Sequence, residues 1–183
     1  MSFPPLNFCS KCGATLALRV PPGDSLPRHV CDNCGTIHYR NPLVVVGTIP
    51  EWEDRILLCK RAIEPRHGLW TLPAGFMELG ETTAQAALRE TLEEAKARVE
   101  LSEVFSLLSV PRVDQVHVFY RARLLDSDFG PGEETLEVGL FEEGEIPWKE
   151  IAFRTISTTL RHFYADRKAG AFGFHAGEIP PPK

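Results

Sequence analysis

Residues 75–96 read Gly75-Phe76-Met77-Glu78-Leu79-Gly80-Glu81-Thr82-Thr83-Ala84-Gln85-Ala86-Ala87-Leu88-Arg89-Glu90-Thr91-Leu92-Glu93-Glu94-Ala95-Lys96. Thr82 is a good helix N-cap, and Gln85 three residues on completes a capping box. From there Ala84, Ala87, Leu88, Leu92 and Ala95 recur at helical spacing and form one apolar face. On the same wheel Glu90, Glu93 and Glu94 gather on the opposite side. Glu90 and Glu94 are i,i+4 neighbours whose like charges repel, and an Arg89–Glu93 pair offsets part of that cost. Two readings stand. The carboxylates surround a hard cation, since Mg²⁺ and Mn²⁺ prefer oxygen ligands, or they form the solvated face of an amphipathic helix.

The loop ahead of the helix, Trp70-Thr71-Leu72-Pro73-Ala74-Gly75-Phe76, has no helical period and is punctuated by Pro and Gly. A glycine here lets backbone approach a ligand or metal closely. Loop and helix together resemble the Nudix box, Gx₅Ex₇REUxEExGU with U a bulky apolar residue. Six of its seven fixed positions match: Gly75, Glu81, Arg89, Glu90, Glu93 and Glu94. Lys96 stands where the family has its last glycine, and Thr91 where it has a bulky apolar residue. Lys96 either lengthens the helix or takes a strained turn.

The resemblance implies a hydrolase that cleaves nucleoside diphosphates linked to another moiety, using Mg²⁺ or Mn²⁺ and water. It makes Glu90 and Glu94 the main metal ligands, with Glu93 supporting and the Ala74 carbonyl a further ligand. Arg89 would orient the carboxylates, and Glu81 would hold the loop against the helix or reach the metal through water. The general base is a box glutamate or one from a loop nearer the C-terminus. Gly130-Pro131-Gly132-Glu133-Glu134-Thr135-Leu136-Glu137 is turn chemistry followed by carboxylates, so Glu134 is the first candidate and Glu137 the second. An acidic solvent-exposed loop is the alternative for both.

Cys9-x₂-Cys12, eighteen residues, then Cys31-x₂-Cys34 matches the two-knuckle spacing of a tetrahedral Cys₄ zinc ribbon. Gly13 and Gly35 follow the second cysteine of each pair, where a knuckle turns tightly. Two disulfides or a redox CxxC compete with zinc, but no secretory signal precedes the cysteines and no βαβ pattern surrounds them. With no open coordination position in view, the zinc is read as structural. Cys59 reads as a strand residue.

The 183 residues suit one substantial domain plus a small one. The expected division is a zinc ribbon over 1–40, a hydrolase domain over 41–170 and a surface tail over 171–183, with Phe172 and Phe174 able to dock the tail. Strands are expected over 43–49, 56–61, 99–110, 115–125 and 137–141, and a second helix over 156–168. That order suits an α/β fold, a mixed sheet sandwiched between helices. No apolar run reaches the ~20 residues of a membrane span. The cysteine usage and the lack of a signal peptide point to a reducing cytoplasm. A net charge of −5 argues weakly against broad nucleic-acid binding, and the basic residues of 1–40, Lys11, Arg19, Arg28 and Arg40, make only a thin patch.

Zinc ribbon plus Nudix domain is similar to the NADH pyrophosphatases, yet their SQPWPFPxS signature has no counterpart here. The chain is more similar to plant chloroplast FAD pyrophosphatases. The matching segments are His38-Tyr39-x-Asn41-Pro42, Leu57-Leu58-Cys59-Lys60-Arg61, His67-Gly68-Leu69-Trp70-Thr71-Leu72-Pro73-Ala74-Gly75 and Glu134-x-Leu136-Glu137. The implied substrate is a dinucleotide, FAD cleaved to FMN and AMP first, with ADP-ribose or NADH as alternatives. A binding regulator that senses nucleotides or associates with RNA is the reading from another class, and the intact carboxylate set speaks against it. Trp70, Phe76, Arg61 and Arg66 are candidates to stack a base and pair with phosphates, with Trp70 equally readable as core. Pro111 reads as a turn, His67 and His117 as packing or surface residues able to titrate near neutrality. Family relatives often pair, so a homodimer is a further expectation.

Overall fold

The computed structural model describes residues 5–181 and divides into two units, one up to Pro42 with Arg112–Asp114, the other Leu43–Pro111 with the remainder from Gln115. The smaller unit is a three-stranded antiparallel sheet, β1 (Leu16–Arg19), β2 (Arg28–Cys31) and β3 (Ile37–His38), in that order. So few apolar residues cannot close a core alone, and a bound metal is the usual remedy at this size.

The larger unit is built on β4 (Leu43–Trp52), β5 (Arg55–Arg61), β6 (Trp70–Thr71), β7 (Ala74–Phe76), α1 (Thr83–Ala95), β8 (Val99–Val110), β9 (Gln115–Leu124), β10 (Thr135–Phe141), α2 (Arg154–Ala169) and β11 (His175–Glu178). Its main sheet runs β10-β5-β4-β9-β8-β11, with β6 on β5 and β7 on β4. β4 pairs with β9 in parallel and β8 with β9 antiparallel, so the sheet is mixed as expected. Period-two alternation divides the strands between two faces. Ile49, Ile56, Leu58 and Phe119 pack with Ile156, Leu160 and Phe163 of α2. Val46 and Val118 pack with Ala86 and Ala87 of α1.

Helix α1 begins where the sequence places it. Gln85 N–H donates to Thr82 Oγ1 at 3.2 Å and Thr82 N–H donates to Gln85 Oε1 at 2.8 Å. It ends at Lys96, which takes the left-handed conformation (φ 50°, ψ 20°) and donates its N–H to Leu92 O. Of the two outcomes open for Lys96, the chain adopts the strained turn.

The buried face of α1 is a correction. Leu88 and Leu92, expected in the apolar face, are 41% and 53% exposed, while Glu90 and Glu94 are 9% and 7% exposed. Ala86, Ala87, Thr91 and Ala95 share the inward side with the two glutamates. Burying carboxylates is unfavourable unless partners await them, and the loop and Arg89 supply those partners here.

The expected surface tail is a second correction. β11 adds to the sheet edge in parallel with β8, His175 opposite Ser106 and Glu178 opposite Ser109. Phe172 does dock, with the Arg121 guanidinium 3.4 Å from its ring centroid and Phe105 and Phe163 at its edges. Phe174 stays exposed. Pro182 and Lys183 lie outside the described residues. Among the described residues no helix is long and apolar enough to cross a membrane.

Candidate active site and zinc ribbon

Strand β7 lies against the inner face of α1, and its backbone makes the site. Ala74 N–H donates to Glu94 Oε2 at 3.0 Å. Gly75 has no side chain for a steric reason: a Cβ there would fall inside the Glu90 carboxyl group. Arg89 ties the cluster together. It donates to Glu81 at 2.6 and 3.1 Å, to Glu90 Oε1 at 2.7 Å, to Glu93 Oε2 at 2.9 Å and to the Phe76 carbonyl at 3.1 Å. Glu81 also accepts from Glu78 N–H at 3.1 Å, so it closes the loop onto the helix. Thr91, at the unusual box position, donates to Ala87 O at 2.7 Å and meets the buried Thr48 hydroxyl at 2.7 Å.

The electrostatics are those of a site short of positive charge. Burial pushes the Glu94 carboxyl up to about 8, against the Ala74 N–H, which lowers it; the neighbouring charge of Glu90 adds to the rise. Burial also raises Glu90, while Arg89 pulls it back down. Glu134 contributes a smaller repulsion at both groups. The Arg61 charge acts the other way on Glu94. Arg89 takes one oxygen each from Glu90 and Glu93, and Ala74 takes one from Glu94. Each carboxylate keeps its other oxygen for a ligand, and an all-oxygen set around buried charge fits Mg²⁺ or Mn²⁺. The three do not yet converge, however. Among the described residues only the four ribbon cysteines bring donor atoms all within 4.8 Å of one another.

The remaining candidates separate. Glu137 pairs with Lys60 at 3.4 Å, whereas the Glu134 charge acts on Glu90 and Glu94 and its carbonyl accepts from Ala62 N–H at 2.8 Å. Trp70 is in the core, 6% exposed and edge-on to Phe141 with ring centroids 4.9 Å apart, so packing is its role. Phe76 stays half exposed at the end of β7. Arg61 donates to the Pro65 carbonyl at 2.9 Å and lies over the Phe153 ring. Arg66 is exposed with φ 70°. Pro111 opens a 3-10 turn, His67 is exposed, and Cys59 is buried in β5 as expected. His117 does not titrate near neutrality: burial drives it down to about 4. Two glycines escaped the sequence reading. A Cβ at Gly47 would strike Ala74 and the Pro73 carbonyl, and one at Gly132 would overlap the Glu93 carbonyl. The signal for Gly132 was present in Gly-Pro-Gly, but only its turn meaning was legible.

In the ribbon, Cys9 and Cys34 Sγ are 3.7 Å apart and Cys12 and Cys31 Sγ 3.5 Å apart, with no disulfide. A tetrahedron with Zn–S bonds of ~2.3 Å has edges of roughly 3.8 Å, so the set fits zinc. Gly13 N–H donates to Cys9 O and Gly35 N–H to Cys31 O, both at 2.9 Å, and both glycines have positive φ. The Thr36 hydroxyl and amide lower Cys34 to about 6, whereas, against the Cys34 amide, burial and the neighbouring Cys12 and Cys34 thiols raise Cys31 to about 11. His38 and Asn33 contact the Cys9 and Cys12 sulfurs as outer partners. Two of the ribbon's basic residues are engaged internally, Arg19 with Asp32 and Arg28 with Asp24.

A family model described as NUDIX domain matches residues 41–165, and one described as Nudix N-terminal, a zinc ribbon, matches 7–40. The chain belongs to the NUDIX domain family. It is a Nudix diphosphatase with an N-terminal zinc ribbon. A crystal structure of a NUDIX hydrolase from Nitrosomonas europaea superposes with a TM-score of 0.93 at 57% identity, covering 95% of this chain and 99% of that one. The ADP-ribose pyrophosphatase of Methanocaldococcus jannaschii is 33% identical over 119 residues, 63% of this chain and 69% of that protein. The NAD-capped RNA hydrolase of Photobacterium profundum is 30% identical over 146 residues, 77% of this chain and 52% of that protein. The Nudix chain thus spans about half the length of that RNA hydrolase.

Proposed function

We propose that the protein hydrolyses the diphosphate bond of an adenosine-containing dinucleotide with Mg²⁺ or Mn²⁺, giving two monophosphates. The observation that carries this is the pair of buried glutamates, Glu90 and Glu94, held against the glycine of β7 by Arg89 and the Ala74 amide. Such a pair, deprived of water and short of countercharge, is poised for a cation rather than for packing. Glu90, Glu93, Glu94 and the Ala74 carbonyl would hold the metal. When bound, it neutralises the diphosphate charge that otherwise repels an attacking oxygen. Arg89 and Glu81 keep the carboxylates and loop in register. Glu134 takes the proton as the water oxygen bonds to phosphorus, and the bridging P–O bond breaks to release the second phosphate. Phe76, with Arg61 and Arg66, flanks the loop where a base and phosphates would lie. The ribbon zinc is structural, and the free cysteines suit a reducing compartment such as the cytoplasm.

The segments quoted above put FAD, cleaved to FMN and AMP, first among substrates. The names of the relatives favour ADP-ribose or a nicotinamide dinucleotide, free or as an RNA cap. The test is a matched panel of FAD, ADP-ribose, NADH and NAD-capped RNA with Mg²⁺, products identified by mass, and Glu94→Gln as control. AMP with FMN formed fastest, and absent in the control, supports the flavin reading. Preference for another member moves the substrate and keeps the reaction. Turnover by none of them, with ligand still bound, would point to a nucleotide-sensing regulator.

A further inference from the structure

The segment between β9 and β10 is a strap across the end of α1. Gly130 N–H donates to Ala95 O at 2.8 Å and Gly132 N–H donates to Glu94 O at 3.0 Å. Both acceptors are last-turn carbonyls, which lack partners within the helix, and the left-handed Lys96 turns the chain away and leaves them open. Beyond the turn, Thr135 N–H donates to Gly132 O at 3.2 Å. Ala62 N–H, just past β5, donates to the Glu134 carbonyl at 2.8 Å. Glu134 is therefore suspended between two backbone anchors, one on the carboxylate helix and one on the central sheet. Phe129, within the strap, packs against the buried cluster that includes Leu57 and Ala95.

The two glycines differ. A Cβ at Gly130 meets nothing within 4 Å. A Cβ at Gly132 would overlap the Glu93 carbonyl oxygen, lie 2.8 Å from its carbon and 3.2 Å from Glu94 Cα. These are backbone atoms of a helix and cannot rotate aside as a side chain can.

We propose that Gly132 is a positioning residue: its bare backbone docks the strap on the last turn of α1 and so holds Glu134 near Glu90 and Glu94. The inference rests on Glu134 acting as the base.

Two measurements test it. Steady-state kinetics on the fastest substrate of the panel compare wild type with Gly132→Ala, Gly130→Ala, Glu134→Gln and the Gly132→Ala/Glu134→Gln double variant. Gly132→Ala should lower kcat by about 10- to 100-fold with little change in KM, because a small misplacement of an acting group costs that much. Gly130→Ala should stay close to wild type. The double variant should fall no further than Glu134→Gln alone, since one residue acts through the other. A dead Glu134→Gln beside a fully active Gly132→Ala overturns the positioning role alone, as do losses that multiply in the double variant. A fully active Glu134→Gln removes the base and the proposal with it. The second measurement is amide exchange on the metal-free full chain, which needs no turnover. The Gly130 and Gly132 amides should exchange as slowly as those in the last turn of α1, and Gly132→Ala should free both while residues 86–92 stay protected. A wild-type Gly132 amide as fast as an exposed loop overturns docking, whatever the kinetics show.

Discussion

The hydroxyl pair beneath the carboxylates allows a sharp test, because each hydroxyl has one proton. Thr91 donates its proton to Ala87 O, so the Thr48 proton must go to Thr91 Oγ1, and both oxygens are buried. The two Thr→Val substitutions are then unequal. Thr91→Val leaves the Thr48 donor buried without an acceptor, at a cost of about 1–3 kcal/mol. Thr48→Val leaves Thr91 satisfied by Ala87 and trades a hydroxyl for a methyl, so it should fall within about 1 kcal/mol of wild type. The double variant should resemble Thr48→Val, giving a coupling energy as large as the Thr91→Val cost, about 1–3 kcal/mol. Urea unfolding followed by tryptophan fluorescence reads this directly, since Trp52, Trp70 and Trp148 all lie in the larger unit. With a urea slope of about 2 kcal/mol/M, Thr91→Val should move the midpoint down by roughly 1 M. Equal losses from the two single substitutions, or losses that simply add, would refute the proton assignment.

Gly75→Ala should preserve the fold yet cut turnover on the order of 100-fold, by forcing the Glu90 carboxyl off the β7 backbone; normal turnover in a variant of normal stability would count against the close approach. Cys31→Ser should lose the ribbon zinc while Cys59→Ala keeps one zinc per chain, read by native mass spectrometry, because Cys31 is one of the four gathered sulfurs and Cys59 is buried in β5. His117, held down at about 4 by burial, stays neutral in the fold while the unfolded chain titrates near ~6.5. The unfolded state therefore binds more protons between these values, and stability falls as pH drops through that window, by about 2 kcal/mol at pH 5 relative to pH 7. His117→Gln should flatten that part of the pH–stability curve; an unchanged slope would mean another group is responsible.

Helix α1 was legible in its start but not in its end or its orientation. The capping box at Thr82 and Gln85 marks the N-terminus through local chemistry alone. Which face turns inward depends on what the sheet offers, and apolar periodicity assumes that polar residues find nothing better than water. Here the Ala74 amide and the five-armed Arg89 reward burial of Glu90 and Glu94, so Leu88 and Leu92 are left outside. The knuckles were fully readable because Cys-x₂-Cys-Gly encodes both ligand and turn within a few residues. Trp70 was ambiguous for the opposite reason. Its partner Phe141 is 71 positions away, so its side was settled only by strand pairing. Separation along the chain also hid the strap, whose glycines meet α1 some 35 positions upstream.

The parallel pairing of β11 with β8 also governs how the protein tolerates handling at its C-terminal end. Ser106 to Ser109 of β8 would otherwise present an open row of amides and carbonyls, the kind of edge on which strands from other chains nucleate. The Asp166 carboxylate latches this cover by accepting from Gly173 N–H and contacting His175 Nε2, both at 2.8 Å. Truncation after Gly170 would leave the carboxylates and the ribbon untouched, yet strip that cover and bare the Phe105 and Phe163 rings beside Phe172. Such a shortened protein should retain its chemistry per molecule and lose solubility, with aggregates that grow from the β8 edge.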